Sequence, residues 1–286
     1  MKNYIDYPFE ESWLKPGKKA LYGVRPCDAH SLVLLDKAIK DNDAYKEKRD
    51  NTLIIVEGCN MPLTTCFCTS VSSGPFSNSG ADIFMTDIGD CYVVEDISGR
   101  GTEYVRQLND ADSDHLLPKE ETAAKSVGAI EQRINFEGMS EKLELVDKLF
   151  ETNDTWQRLG DHCTNCTRCT SVCPTCHCCF VVEDVFEIVC DHFGKGAKDF
   201  DPCMLNIFLS EGLTGDKPKG HKRLQRRLMD KFCRTMKIVG QPFCVGCGRC
   251  ITNCAENIDI TEILKIVFNM GNKTARDIGM HNDMHR

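Results

Sequence analysis

Short apolar runs separated by polar turns mark the first third of the chain. Lys19 to Val24, Thr52 to Val56, Ile83 to Thr86 and Tyr92 to Glu95 each have the length and β-branched content of a strand. Between the first two, Leu32, Leu35 and Ile39 recur at helical spacing, which predicts one helix with Asp28 as its cap. Strand, helix and strand in that order make an α/β unit. From about residue 110 to 139 the chain is polar and predicts a linker with one exposed helix. A clearer helix follows from Glu141, with Leu143, Val146, Leu149 and Phe150 on one face and Ser140 as its cap. Glu183 to Phe193 and Lys222 to Met236 also predict helices. Thr261 to Met270 predicts a short amphipathic one, with Ile263, Leu264, Ile266 and Val267. The fold class expected is therefore α+β. An α/β domain occupies residues 1–139 and a mainly helical domain residues 140–286, with an insertion at 180–240.

Composition narrows the function. The 286 residues are long enough to bury a proper core without a metal to compensate for small size. A formal charge of −8 disfavours nucleic acid as a partner. No stretch approaches the roughly 18 apolar residues of a membrane span, and MKNYIDYPFEESW is neither basic nor apolar enough for an export signal, so a cytoplasmic location is expected. The anomaly is cysteine: 19 residues, an odd number. Cytoplasmic thiols stay reduced, which points to metal ligation rather than disulfides.

Two cysteine blocks share one spacing. Cys163, Cys166, Cys169 and Cys173 stand as C-x2-C-x2-C-x3-C before Pro174, and Cys244, Cys247, Cys250 and Cys254 repeat it before Ala255. This is the run found in bacterial two-cluster ferredoxins, in which the fourth cysteine of each run ligates the other cluster. Two-residue gaps let a loop curl three thiolates around one cubane, while the fourth points to the next. Two [4Fe–4S] clusters are expected. The first is held by Cys163, Cys166, Cys169 and Cys254, the second by Cys244, Cys247, Cys250 and Cys173. The second domain is then ferredoxin-like. Structural zinc also uses paired C-x2-C units, but it needs four ligands from two pairs, which fits this spacing less well.

A second set is less regular. Cys27 in GVRPCD, Cys59 in VEGCN, and Cys66 and Cys68 in TTCFCTS all follow predicted strands, where loops of one sheet edge converge. They could hold a third cubane or be small buried hydrophobes. Cys176 and Cys178, in PTCHC, could compete as ligands or line a cluster, and the spacing leaves both open. Cys91, Cys179, Cys190, Cys203 and Cys233 lack metal-like spacing and are expected to be core or incidental. His177 is expected to be an ordinary packed or exposed histidine. Lys222, Arg223, Arg226 and Arg227 make a basic helix face, expected to be solvated. There is no GxGxxG after a strand, no P-loop and no GxSxG. Dense redox ligands without substrate machinery read as wiring.

GVRPCD with a following LDK, the segment C-x6-C-F-C-T-S-V-S-S-G-P, the first cysteine block running into PTCHC and later VED, and the late CVGCGRCI form an ordered set. In this it resembles the iron–sulfur subunit family that includes the sulfhydrogenase beta chain and the corresponding iron–sulfur subunit of anaerobic sulfite reductase. The resemblance spans Leu21 to about Val267. It implies a cytoplasmic electron-transfer subunit with two ferredoxin-like clusters and a third held by Cys27, Cys59, Cys66 and Cys68. The implied partners are a flavin-containing subunit handling a nicotinamide-type donor, and a catalytic subunit. Two departures stand out: only some 20 residues precede GVRPCD, and CAENIDI replaces the usual CP. The competing readings are a redox enzyme whose cluster near Cys27 binds substrate with help from Arg25, Asp28 or His30, and a zinc-bound scaffold.

Overall fold

The computed structural model describes residues 17–40, 42–148, 155–176, 180–181, 188–189 and 220–277. They gather into two units. One holds the described residues up to Gln132 together with Val245–Cys247, and the other holds those of Arg133–Cys244 and from Gly248 onward.

The first unit is a mixed α/β fold. Strands β1 (Lys19–Val24), β2 (Thr52–Glu57), β3 (Ile83–Asp87) and β4 (Tyr92–Asp96) lie side by side in that order. β1, β2 and β3 run parallel, and β4 returns antiparallel to β3. All four predicted strands are present; β2 and β3 are covered on both faces, whereas the outer strands β1 and β4 keep exposed positions. Ala29, Ile54, Val56, Ala81 and Phe84 pack on one side. Leu53, Ile55, Ile83 and Met85 pack on the other. A buried carboxylate ties the edges: Asp82 accepts hydrogen bonds from Ile54 N (2.8 Å), Ser98 Oγ (2.6 Å) and Arg100 Nη1 (3.1 Å).

Two helices, not one, connect β1 to β2. Helix α1 spans Pro26–Ala38 and α2 spans Asp43–Asp50. The second lacks an apolar stripe, and its start is held by Asn42, whose Oδ1 accepts from Tyr45 N at 2.9 Å. Asp28 does not cap α1. Pro26, with its locked φ and missing N–H, starts the helix earlier and leaves Asp28 in the first turn, where a carboxylate favours the positive end. The polar stretch after β4 carries the short α3 (Thr102–Val105) and the largely exposed α4 (Ser113–Gly128), begun by a capping box at Asp112.

The second unit is mostly helical. Helices α5 (Met139–Lys148), α6 (Thr155–Asp161), α7 (Arg168–Ser171), α8 (Gly220–Met229), α9 (Thr235–Val239), α10 (Arg249–Thr252) and α11 (Ile260–Asp277) make up more than half of its described residues. Helix α5 packs on α11, and α6 on α8. Met139, Leu143, Trp156, Leu228, Phe232, Leu264 and Val267 fill the interior, with Phe136 and Phe232 stacked at 5.2 Å. Ser140 is not the cap of α5. The helix begins at the fully buried Met139, and Ser140 lies inside it with Oγ 3.6 Å from Cys233 Sγ. The helix expected over Glu183 to Phe193 is also corrected where it can be seen. β-branched Ile188–Val189 form a strand, β6, antiparallel to β5 (Phe180–Val181), and the rest lies outside the described residues. Val146 is in α5, whereas Leu149 and Phe150 lie outside the described residues. The helix expected from Lys222 is α8, continued through a π turn at Asp230–Arg234 into α9.

Candidate metal centres

The two cysteine blocks fold into the same loop. Asn165 and Thr167 have φ of 57° and 64°, and Gly246 and Gly248, at the same places in the second block, have 61° and 68°. A short helix follows each: α7 after Thr167 and α10 after Gly248. The closing bonds match as well, with Cys173 N donating to Thr170 O (3.2 Å) and Cys254 N to Ile251 O (3.1 Å). Left-handed residues between right-handed ones turn successive N–H groups toward a common concave side, a nest suited to anionic sulfur. Threonine is β-branched and ill suited to that conformation, at a cost of about 1–2 kcal/mol that glycine does not incur. Thr167→Gly is expected to raise the stability of the metal-loaded protein by about 0.5–1 kcal/mol, after the entropy cost of glycine. The check is the thermal midpoint at unchanged iron content. A fall in either would mean that the threonine side chain supports the loop.

Around the first loop, within the second unit, a solvent-open cavity is lined by Cys163, Cys166, Cys169 and Cys254, with Leu224, Arg227 and Ile260 completing the wall. Cys250 also borders it. Burial pushes the Cys163 thiol up, and the charges of Cys254 and Cys166 push it further. Burial raises Cys169 too, with Arg227 pulling the other way. Partly desolvated thiols that repel one another as thiolates suit a guest that supplies positive charge, and ferric or ferrous iron does so. The donor set, the nest and the cavity fit an iron–sulfur cluster.

Near the second block, Thr175 Oγ1 donates to Phe243 O at 2.9 Å, which brings the chain after Cys173 beside the chain before Cys244. Cys173 and Cys176 form a half-buried pair. The hydrogen bond with Cys176 holds the Cys173 thiol well below the ordinary range, and Lys231 and Arg227 assist. Cys176 is pushed up correspondingly. His177, Cys178, Cys179, Cys190 and Cys203 lie outside the described residues. Cys233 is buried and Cys91 half-buried.

In the first unit, the parallel strands β1 and β2 leave the sheet at one edge. Cys27 sits there in the first turn of α1, and Cys59 two residues beyond β2. Cys59, Cys66 and Cys68 lie within electrostatic range of one another. Burial, then the charges of Cys66 and Cys59, push the Cys68 thiol up to about 12, and burial also raises Cys59. The segment Val245–Cys247 joins this unit. Gly246 O accepts from Phe67 N at 2.8 Å, and Cys66 Sγ lies 3.7 Å from Cys247 O. Of the residues considered as substrate helpers, Arg25 stands at the head of α1 and His30 is buried against Ser79 Oγ at 3.0 Å.

The expectation that the basic face of α8 is solvated fails for two of its four residues. Lys222 is exposed and Arg226 half-buried, but Arg223 and Arg227 are each 2 % exposed. Lys231, one turn on, is also buried, and sequence reasoning did not single it out. The signal was there: Arg223, Arg227 and Lys231 fall four apart, directly beside the apolar pair Leu224 and Leu228.

A family model for a 4Fe–4S dicluster domain matches residues 162–258, which include both cysteine blocks. The chain is 31 % identical over 264 residues to sulfhydrogenase 2 subunit beta of Pyrococcus furiosus, in a match covering 87 % of this chain and 73 % of that protein. Among the described residues, no helix is long and apolar enough to cross a membrane. An α/β region thus precedes a ferredoxin-like iron–sulfur domain with two matching cysteine loops, and the chain belongs to the sulfhydrogenase beta-subunit family of 4Fe–4S dicluster proteins.

Proposed function

We propose that the protein is an electron-relay subunit of a multi-subunit cytoplasmic oxidoreductase, linking a flavin- or nicotinamide-handling subunit to a catalytic one. The observation that carries this reading is the cavity of the second unit, lined by five cysteines of the two ferredoxin-spaced blocks. Clusters bound at these cysteines supply one-electron transfer. The ligand sets are Cys163, Cys166, Cys169 and Cys254 for one, and Cys173, Cys244, Cys247 and Cys250 for the other. Cys27, Cys59, Cys66 and Cys68 hold a third. The protein's own work is to gather the thiolates, direct backbone N–H groups at sulfur and keep the thiols buried, since hydrogen bonding and burial set cluster potentials. Its relative is named as a subunit, which supports assembly into a larger complex.

The test is the iron, labile sulfide and zinc content of anaerobically purified protein, with electron paramagnetic resonance after reduction. About twelve irons and twelve sulfides are expected for three cubanes. About eight of each would return Cys27, Cys59, Cys66 and Cys68 to another role. Zinc in place of iron would overturn the relay.

A further inference from the structure

Arg223, Arg227 and Lys231 form a line along one face of α8 and the π turn that follows it. All three are buried: their exposures are 2 %, 2 % and 4 %. Burying three cations together is unfavourable unless each meets negative charge. Among the described residues, they lie beside cysteines and the backbone that carries them, with Thr170, Thr175 and the Asp230 carboxylate nearby.

Arg227 Nη2 donates to Cys169 O at 2.8 Å, and its Nη1 lies 3.5 Å from Cys176 Sγ and 3.5 Å from Thr170 Oγ1. Lys231 Nζ donates to Thr175 Oγ1 at 2.7 Å, between the chain after Cys173 and the chain before Cys244. Cys173 Sγ lies 3.4 Å from the same Thr175 Oγ1, and Lys231 Nζ is 3.5 Å from Phe243 O, the residue before Cys244. Arg223 is beside Cys163, and its Nε and Nη1 have no hydrogen-bond partner among the described residues. Two buried guanidinium nitrogens without an acceptor mark a place where an acceptor belongs. The π turn begins at Asp230, and such turns recur at functional positions in helices.

We propose that this buried cationic line sets the reduction potentials of the two clusters in the dicluster domain, Arg223 acting on the one at Cys163, Lys231 on the one at Cys173, and Arg227 on both. The inference rests on the cluster assignment made above. A [4Fe–4S] cluster with four thiolates is an anion that gains a further negative charge on reduction. A nearby buried cation stabilises the reduced form more than the oxidised one, and low-dielectric surroundings keep that effect from being screened. The order of the three residues along the helix gives each cluster a different share of positive charge, which would separate two otherwise similar potentials and give the relay a direction.

The experiment is a reductive titration of the full-length, anaerobically loaded protein, followed by electron paramagnetic resonance, for wild type, Arg223→Met, Lys231→Met and the charge-conserving Arg223→Lys and Lys231→Arg. Arg223→Met is expected to shift one cluster's midpoint downward and leave the other in place. Lys231→Met is expected to shift the other one. The charge-conserving variants are expected to stay near wild type, which a purely structural role would not require. Potentials are read only from loaded molecules, so partial loading of a variant does not hide the result. Loaded variants with unshifted midpoints, or with both midpoints shifted equally by either methionine, would overturn the tuning role. Wild-type protein that carries no iron would instead overturn the cluster assignment itself.

Discussion

Replacing Gly246 by alanine is expected to strip the protein of more than one cluster while its fold persists. A Cβ at this position would stand 2.6 Å from Cys68 Cα, Cys68 N and Phe67 C, far inside contact distance. Those are backbone atoms, so no side-chain rotation relieves the conflict. Gly246 also has φ 61°, where alanine is strained. Together the overlap and the strain cost on the order of 3 kcal/mol, enough to move a loop but below the usual stability of a whole domain. Two ligand segments meet at this point. Phe67 N donates to Gly246 O, Cys66 Sγ lies near Cys247 O, and Cys68 follows directly. On the ligand assignment proposed above, separating them would disturb the third cluster through Cys66 and Cys68 and the second through Cys247. Gly240→Ala is the control. It too has a left-handed φ, 78°, but nothing lies within 4 Å of its would-be Cβ, so it incurs the conformational cost alone. The measurement is iron and sulfide per chain for both variants. Full iron content in Gly246→Ala would mean that the contact is not needed to hold either site.

The features legible in the sequence are those governed by short-range rules. β2 and β3 are apolar throughout because both faces are covered, and such runs are visible without knowing what covers them. The cysteine spacings are equally local, since reach around a cubane is set by two- and three-residue steps. Helix starts were less legible. Asp28 and Ser140 are good capping residue types, but Pro26 and the buried Met139 start their helices earlier. Helix α2 was missed because it is polar all round and is stabilised by its cap and its neighbours rather than by an apolar stripe.

What sequence reasoning missed depends on distant neighbours. A run of Lys and Arg on a helix is usually solvated, and that rule fails at Arg223, Arg227 and Lys231 because they pack against the cysteine-bearing segment some fifty to sixty residues earlier. The joining of Val245–Cys247 to the N-terminal unit is another such case. Nothing in CVGCG hints that its first glycine touches the backbone of Cys68, some 180 residues away. The need for glycine there only becomes apparent in three dimensions. In the matching position of the first block, Asn165 adopts the same left-handed conformation, so the conformation alone does not demand glycine.

Pairs of alanine substitutions are expected to reveal how the two cysteine blocks share their clusters. With crossed ligation, Cys163 and Cys254 serve one cluster, and Cys163 and Cys173 serve different ones, although the latter pair belongs to a single block. Cys163→Ala should therefore remove about four irons and four sulfides, and adding Cys254→Ala should remove hardly any more. Combining Cys163→Ala with Cys173→Ala should remove about eight of each. The local geometry favours this result. The cavity holding Cys163, Cys166 and Cys169 is bordered by Cys254, whereas Cys173 is paired with Cys176 and faces Lys231. Straight ligation, with each block holding its own cluster, predicts the reverse pattern in the two doubles. Because the comparison rests on non-additivity within the same protein, it does not depend on full loading of the wild type. A cluster that has already lost one ligand has little left to lose, whereas an intact neighbour has everything to lose.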